Sequence, residues 1–202
     1  MNHNQMKHNM NKTPALILAS GSPRRRELLK QLAVTFTVAP ADIDETITDG
    51  ESPGDFVRRM ALEKAQAGFE QGGSALPALG SDTIVLLNGK ILGKPVSPSD
   101  AVVMLQNLSG QSHHVYSAVA IALDADKVLE TLNVTEVTFA DMPEDWIEQY
   151  CKGEEPMDKA GAYAVQGGAG QYIRCINGSY SGVMGLPLYE TAVLLRQAGL
   201  LI

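Results

Sequence analysis

The chain has 202 residues and a formal net charge of -7, and 45% of its residues are hydrophobic. This length provides a sizeable core for one domain, or for two small lobes around a shared cleft. The acidic balance disfavours nucleic acid and anionic membranes as binding partners, although a compact phosphate site can lie inside a negatively charged protein. With no CxxC pair and no apolar run long enough to span a membrane, we expect a reduced, cytoplasmic protein.

The predicted elements alternate irregularly along the chain. Residues 1–13, rich in Met, Asn, His and Lys, predict a disordered N-terminal extension before one domain at residues 14–202. Apolar and alternating runs predict strands at residues 14–19, 35–39, 79–87, 90–92, 114–123, 128–139, 162–166 and 171–176. Capping residues and helical periodicity predict helices at about residues 23–32, 55–68, 97–109, 143–152 and 188–197. This order indicates an α/β fold with a mixed sheet and not a doubly wound parallel one.

Three consecutive arginines occupy the first turn of the first predicted helix. Arg24, Arg25 and Arg26 follow Ser22 and Pro23, which suit the N-cap and the first helical position. A helix N-terminus carries about half a positive charge, so cations are unfavourable there unless an anion docks among the free N–H groups. Phosphate is the anion that guanidinium groups bind bidentately. Three solvated surface arginines explain this segment equally well.

Two further charged side chains lie on faces predicted to be apolar. Lys64 shares a helical face with apolar residues, where a lysine either snorkels to water or points its ammonium group into a site. Asp82 lies within a β-forming run, where a carboxylate is costly unless it is paired or binds metal, although an exposed acid at a strand start is common. The hairpin signal at Asn88 and Gly89 can fold Lys94 back towards Asp82.

The glycine-rich segment at residues 158–168 carries Gln166 at the end of a predicted strand. Small residues allow the backbone to approach a ligand closely, and an amide that donates and accepts suits the edge of a nucleobase. In isolation, an ordinary loop glutamine is the better explanation. His113 and His114 have no carboxylate or serine partner at a catalytic spacing, so we interpret them as structural.

Together, seven separate segments resemble the Maf family. They lie in the expected order, at residues 18–29, 43–45, 63–65, 81–83, 93–95, 158–163 and 185–188. Asp82 and Thr83, with the segment that ends at Gln166, are similar to the subgroup that acts on dTTP and UTP. The resemblance implies an elongated mixed sheet with flanking helices and two lobes around a deep cleft. It also implies a housecleaning hydrolase that converts nucleoside triphosphates to monophosphate and pyrophosphate, uses Mg²⁺ or Mn²⁺, and forms a homodimer.

The family motifs, carried onto this sequence, suggest a role for each candidate residue. The catalytic set comprises Asp82 as proton acceptor, Glu45, Lys64 and Lys94, with Glu45 and Asp82 also as metal ligands. Substrate binding and specificity would fall to Ser20, Arg24, Arg25, Thr83 and Gln166. Arg26 is expected to point elsewhere on the helix.

Two other functions compete with this hypothesis. A nucleotide-binding regulator of cell division or septum formation, acting through a partner, would need the same phosphate-binding cations but no catalytic base. A nucleic-acid binder would use the arginine turn, but the net charge and the lack of a broad basic stripe argue against it.

Overall fold

A computed structural model describes residues 15–201, so the predicted extension at residues 1–13 lies outside the described residues. Its strands are β1 (Leu16–Leu18), β2 (Phe36–Val38), β3 (Ala78–Leu87), β4 (Lys90–Leu92), β5 (Ser112–Ala122), β6 (Val128–Phe139) and β7 (Ile173–Asn177). Its helices are α1 (Pro23–Gln31), α2 (Pro53–Gln71), α3 (Pro98–Leu108), α4 (Glu144–Tyr150), α5 (Tyr180–Val183) and α6 (Leu188–Gln197). The predicted mixed α/β fold, with helices flanking one sheet, is confirmed.

The seven-stranded sheet has the order β2-β1-β3-β5-β6-β7, with β4 paired to β3. Strand β1 is parallel to β2 and β3, whereas the other pairs are antiparallel. One edge of β3 is covered by β5, and the other is shared: β1 pairs with Ala78 and Leu79, and β4 pairs with Val85–Leu87. Within the described chain, neither β1 nor β4 covers residues 80–84 on that edge. The sheet therefore opens at the middle of its central strand.

Helix α2 crosses one face of the sheet directly over β3. It buries Val57, Met60 and Ala61 completely or nearly so against the sheet. Gly80 permits the close crossing, because a Cβ at this position would lie 2.3 Å from the Ala61 carbonyl oxygen. The backbone of α2 consequently lies against the uncovered stretch of β3.

Serine N-caps define the starts of the first three helices. The side chains of Ser22, Ser52 and Ser97 accept hydrogen bonds from the backbone three residues later, and each serine is followed by proline. The cap at Ser52 starts α2 two residues before the predicted residue 55. The predicted hairpin turn is also present, with Asn88 and Gly89 both at positive φ.

The predicted hairpin of residues 162–166 and 171–176 is wrong in its first arm. Gly161 and Ala162 have φ angles of 69° and 60°, and two successive left-handed residues cannot continue as an extended strand. Short 3₁₀ turns occupy Glu155–Asp158, Ala160–Ala162 and Gly168–Tyr172 instead. Only β7 forms a strand here, and it pairs with β6. Gln166 therefore lies in a turn and does not end a strand.

No helix within residues 15–201 combines the length and apolarity needed to cross a membrane.

Candidate active site

A cavity of about 710 Å³ lies where β3 loses its second neighbour. This volume is within the usual range for small-molecule sites. The cavity reaches both faces of the sheet, because the edge of β3 is open between β1 and β4. Every site residue predicted from the sequence lines it: Ser20, Arg24, Arg25, Glu45, Lys64, Asp82, Thr83, Lys94 and Gln166.

The start of α1 places Arg25 at the wall of the cavity. Because β1 is parallel to β3, the chain leaving β1 reaches the uncovered stretch of β3, and α1 begins there. Arg25 donates from Nε to the Gly185 carbonyl at 2.9 Å, from Nη1 to Ser20 Oγ at 3.2 Å and from Nη2 to Thr83 Oγ1 at 3.4 Å. Burial lowers the pKa of Arg25, while nearby Asp82 acts in the opposite direction. An arginine remains charged under these conditions.

Arg24 and Arg26 point to different surroundings. Arg24 lines the cavity and lies 3.5 Å from Asp158 Oδ2, whereas Arg26 is exposed and lies beside Glu27. The expectation that Arg26 points away from the site is therefore in agreement with its position.

Lys64 bridges two carboxylates at the centre of the cavity. Its Nζ lies 2.7 Å from Asp82 Oδ1 and 2.7 Å from Glu45 Oε1. The residue is only 7% exposed, so it does not snorkel to water but directs its ammonium group into the site. Partial burial would raise the pKa of the Glu45 carboxyl, but the hydrogen bond and the charge of Lys64 outweigh it and hold that pKa below its usual range.

Glu45 comes from an exposed loop, and Arg59 on α2 holds that loop in place. Arg59 donates from Nη2 to the Thr46 carbonyl at 2.9 Å and makes a bidentate pair with Glu51 at 2.7 and 2.8 Å. Both contacts are made to residues that follow Glu45 in the chain, the first of them its immediate neighbour. The side chain of Glu45 remains 57% exposed, in contrast to 13% for Asp82.

The opposite side of the cavity is formed by Lys94 and the segment that contains Gln166. The Gly161 amide donates to the Gly93 carbonyl at 3.0 Å, which ties the two segments together beside Lys94. Both Lys94 and Gln166 are exposed on the cavity wall. A long amide and an ammonium group can therefore face a ligand that enters the cleft.

The family model for Maf-like proteins matches residues 15–198, which is nearly the whole described chain. This chain belongs to the Maf family. A protein of Pseudoalteromonas atlantica named dTTP/UTP pyrophosphatase is 50% identical over 188 residues, covering 92% of this chain and 97% of the relative. A protein of Escherichia coli strain K12 with the same name is 51% identical over 181 residues, covering 90% and 91%.

One solved structure is similar in fold to this Maf protein. A HAM1 protein from Coxiella burnetii has a TM-score of 0.53 at 20% identity, covering 90% of this chain and 98% of the neighbour. The similarity concerns the arrangement of the sheet and its helices.

The carboxylates of this Maf protein fit the chemistry of a hard divalent cation. Lys64 contacts one oxygen of Glu45 and one of Asp82, so the second oxygens are the ones that a cation could take. Within residues 15–201, no group of three or more His, Cys, Asp or Glu side chains is arranged to hold a metal. Magnesium is commonly bound through one or two carboxylates together with substrate phosphates and water.

Three cavity features of the Maf protein were not assigned from the sequence. Lys159 lines the cavity and donates to the Glu155 carbonyl at 2.7 Å and to Asp158. Partial burial would raise the pKa of Asp158, but the hydrogen bond from Lys159 lowers it below its usual range, with help from Arg24. The Gly185 carbonyl that accepts from Arg25 was also missed, since a backbone acceptor has no signal in a sequence.

Proposed function

We propose that this Maf protein is a nucleoside triphosphate pyrophosphatase that hydrolyses dTTP and UTP to the monophosphate and pyrophosphate, with modified pyrimidine nucleotides as further substrates. The observation that carries the proposal is the Lys64 ammonium held between Glu45 and Asp82, beside Arg25, in one cavity. This arrangement combines cations for phosphate with carboxylates for a metal and a proton. The names of the two bacterial relatives support the same substrates.

The reaction requires water to attack the α-phosphorus and pyrophosphate to leave in line. Asp82 accepts the proton of that water through Oδ2, because Oδ1 is held by Lys64. The α–β phosphoanhydride bond breaks and its electron pair passes to the leaving pyrophosphate. Four cations on the cavity wall offset the charge of the phosphate groups: Arg24, Arg25, Lys64 and Lys94.

Glu45 would hold the divalent cation, Mg²⁺ or Mn²⁺, through its second oxygen, and Asp82 would hold it through one of the cation's water ligands, so that Oδ2 of Asp82 stays able to accept a proton. When bound, such a cation neutralises phosphate charge and polarises the oxygens around the reacting phosphorus. The exposed loop lets Glu45 adjust to the ligand while Asp82 stays fixed in the sheet.

Ser20 is suited to donate to a phosphate oxygen. Its Oγ accepts from the Ser22 amide and from Arg25 Nη1, both at 3.2 Å, so both lone pairs are used and its proton remains. Gln166 would pair with the N3–H and O4 edge of thymine or uracil, and Thr83 would assist in reading the base. The proposal also includes a homodimeric state and a cytoplasmic location, both of which rest on the family resemblance.

A substrate panel tests the proposed function. Pyrophosphate release is measured with dTTP, UTP, CTP and 7-methyl-GTP at equal concentration, with and without Mg²⁺. We expect metal-dependent release that is fastest with dTTP and UTP. Preference for the methylated purine would contradict the substrate assignment, and binding of dTTP without release would favour the regulator of cell division.

Asp82→Asn tests the proton acceptor. We expect hydrolysis of dTTP to fall by about 10²-fold or more, because an amide cannot accept the proton of the attacking water. The rate of pyrophosphate release is measured on protein whose circular dichroism spectrum matches the wild type. Near-normal turnover by the folded variant would exclude Asp82 from this role.

A further inference from the structure

A chain of hydroxyl groups leads from the Arg25 guanidinium into the interior of the protein. Thr83 Oγ1 lies 3.4 Å from Arg25 Nη2 and 3.0 Å from Ser117 Oγ. Ser117 Oγ in turn lies 2.7 Å from the Gly182 carbonyl oxygen. Ser117 is on β5, opposite Thr83 in the sheet register, and its exposed fraction is 0%. The assigned catalytic groups do not include it.

The direction of each hydrogen bond in this chain follows from the number of protons. A hydroxyl group carries one proton and a carbonyl can only accept, so Ser117 donates to Gly182. Ser117 must then accept from Thr83, which uses the only proton of Thr83. Thr83 therefore offers only lone pairs to Arg25, and a guanidinium group can only donate.

The acceptors around Arg25 leave part of its guanidinium group available. Three of its five N–H groups are directed to Gly185, Ser20 and Thr83. The two that remain are one on Nη1 and one on Nη2. The three acceptors are neutral, so the hydrogen bonds fix the orientation of Arg25 without pairing its charge. A fixed guanidinium with two available N–H groups suits an anion with two oxygens, such as a phosphate group.

We propose that Ser117 is a positioning residue for the phosphate site: because Ser117 accepts the hydrogen bond of the Thr83 hydroxyl, Thr83 remains an acceptor for Arg25 and holds it ready for the pyrophosphate part of the substrate. The inference rests on the proposed function, because it takes phosphate as the ligand of Arg25. Without the Ser117 hydroxyl, the Thr83 proton loses its acceptor and can turn towards Arg25. Donor would then face donor, and the guanidinium would lose one of its three supports.

The experiment compares Ser117→Ala with Thr191→Val. Thr191 is also 0% exposed, and its hydroxyl also donates to a backbone carbonyl, that of Pro187, at 2.7 Å. Both variants remove one buried hydroxyl, so we expect similar shifts in the denaturant midpoint. Pyrophosphate binding is measured by calorimetry with Mg²⁺ present. We expect Ser117→Ala to weaken it by about 10-fold and to raise KM for dTTP more than it changes kcat.

A double-mutant cycle separates positioning from general destabilisation. Thr83→Val should weaken pyrophosphate binding by itself, whereas Thr83→Ser, which keeps the hydroxyl, should restore it. Adding Ser117→Ala to Thr83→Val should change the pyrophosphate Kd no further, because the two residues act through one hydrogen bond to Arg25. If Ser117→Ala does not fold, the two Thr83 variants still test whether the hydroxyl groups position Arg25.

The outcomes distinguish this inference from the function on which it rests. A wild-type protein that fails to bind pyrophosphate overturns both. Binding by the wild type that Ser117→Ala weakens no more than Thr191→Val overturns the role of Ser117 alone. Additive losses in the double variant, or a Thr83→Val protein with wild-type affinity, would do the same.

Discussion

Lys64 occupies a position where a lysine is rarely stable without partners. It is 7% exposed on the face of α2 that packs against the sheet, and two carboxylates lie within 2.7 Å of its Nζ. Together, the ammonium and the two carboxylates carry one net negative charge, which favours a divalent cation beside them. Arg25, by contrast, has only neutral hydrogen-bond acceptors. The two cations therefore suit different parts of a metal-bound triphosphate.

Arg25→Lys should weaken substrate binding even though the charge is conserved. A lysine cannot donate simultaneously to the Gly185 carbonyl and the two hydroxyls that hold the guanidinium plane. We expect kcat/KM for dTTP to fall by about 10- to 100-fold, since charge-assisted hydrogen bonds contribute about 1.5–3 kcal/mol each. Arg26→Lys, on the exposed side of α1, is the matched control. Equal kcat/KM values for the two variants would contradict the role of Arg25.

The individual site residues differ in how well a sequence predicts them. Lys64 and Asp82 could be predicted, because a charge on an apolar face violates the pattern of its helix or strand. Ser117 could not, since a serine fits a strand equally well whether it is buried or exposed. Its role depends on the Gly182 carbonyl, which belongs to helix α5, far away in the sequence.

At the scale of elements, the gap beside β3 determines the site. Residues 80–84 are paired to β5 on one edge, and the other edge lies between β1 and β4. Alternation along the strand directs Asp82 to one face and Thr83 to the other. The open edge lets both line a single cavity. The strand itself was predicted, but the gap was not, because it depends on the register of two short neighbours.

Gly80→Ala should disturb the site through helix α2. The added Cβ would meet the Ala61 carbonyl and the Ala65 amide at 2.3 and 2.4 Å, so the helix must move away from β3. We expect a loss of about 1–3 kcal/mol in the free energy of unfolding, as for other overpacked cores. Lys64 would also move from Asp82, so turnover of dTTP should fall.

Gly54→Ala, on the same helix, serves as the control because its Cβ would make only ordinary contacts, the nearest at 3.7 Å. Denaturant unfolding and dTTP turnover are measured for both variants. A Gly80→Ala protein as stable and active as Gly54→Ala would show that the close crossing is not needed.

The segment around residues 155–170 shows why short elements are difficult to predict. Its apolar residues suit a strand, but Glu155 accepts from Tyr150 Oη at 2.7 Å and from the Gly168 amide at 3.1 Å. A Cβ on Gly167 would overlap the Glu155 carboxylate. These side-chain contacts fix the turn that carries Gln166, and backbone propensity does not include them.

At the scale of the molecule, one buried histidine links the stability of the fold to pH. His113 is 1% exposed, its Nε2 lies 2.8 Å from Tyr163 Oη, and Nδ1 has no partner among the described residues. Burial lowers its pKa to about 4, with a smaller effect from His114. The sequence predicted a structural role for His113, and its position in the core agrees.

His113 should make the protein less stable in acid. The unfolded chain binds a proton near pH 6.5, whereas the folded chain does so only near pH 4, so stability is lost as the pH falls through this window. We expect the wild type to lose on the order of 2 kcal/mol more than His113→Gln between pH 7 and pH 4.5. Denaturant titrations at both values measure this, with the exposed His114→Gln as control. Identical losses in all three proteins would contradict the prediction.

The salt bridges of Lys64 join a fixed strand to a surface loop, and amide hydrogen exchange should detect the difference. Residues 81–84 are bonded to β5 within the core, so their protected amides should exchange only through global unfolding. The exposed loop at residues 44–50 should exchange through local opening, at a far lower free-energy cost. Binding of dTTP with Ca²⁺ in place of Mg²⁺ should slow amide exchange in the loop. The amides of β3 should still exchange more slowly than those of the loop. Entry of a nucleotide would then require the opening of one loop and not of the sheet.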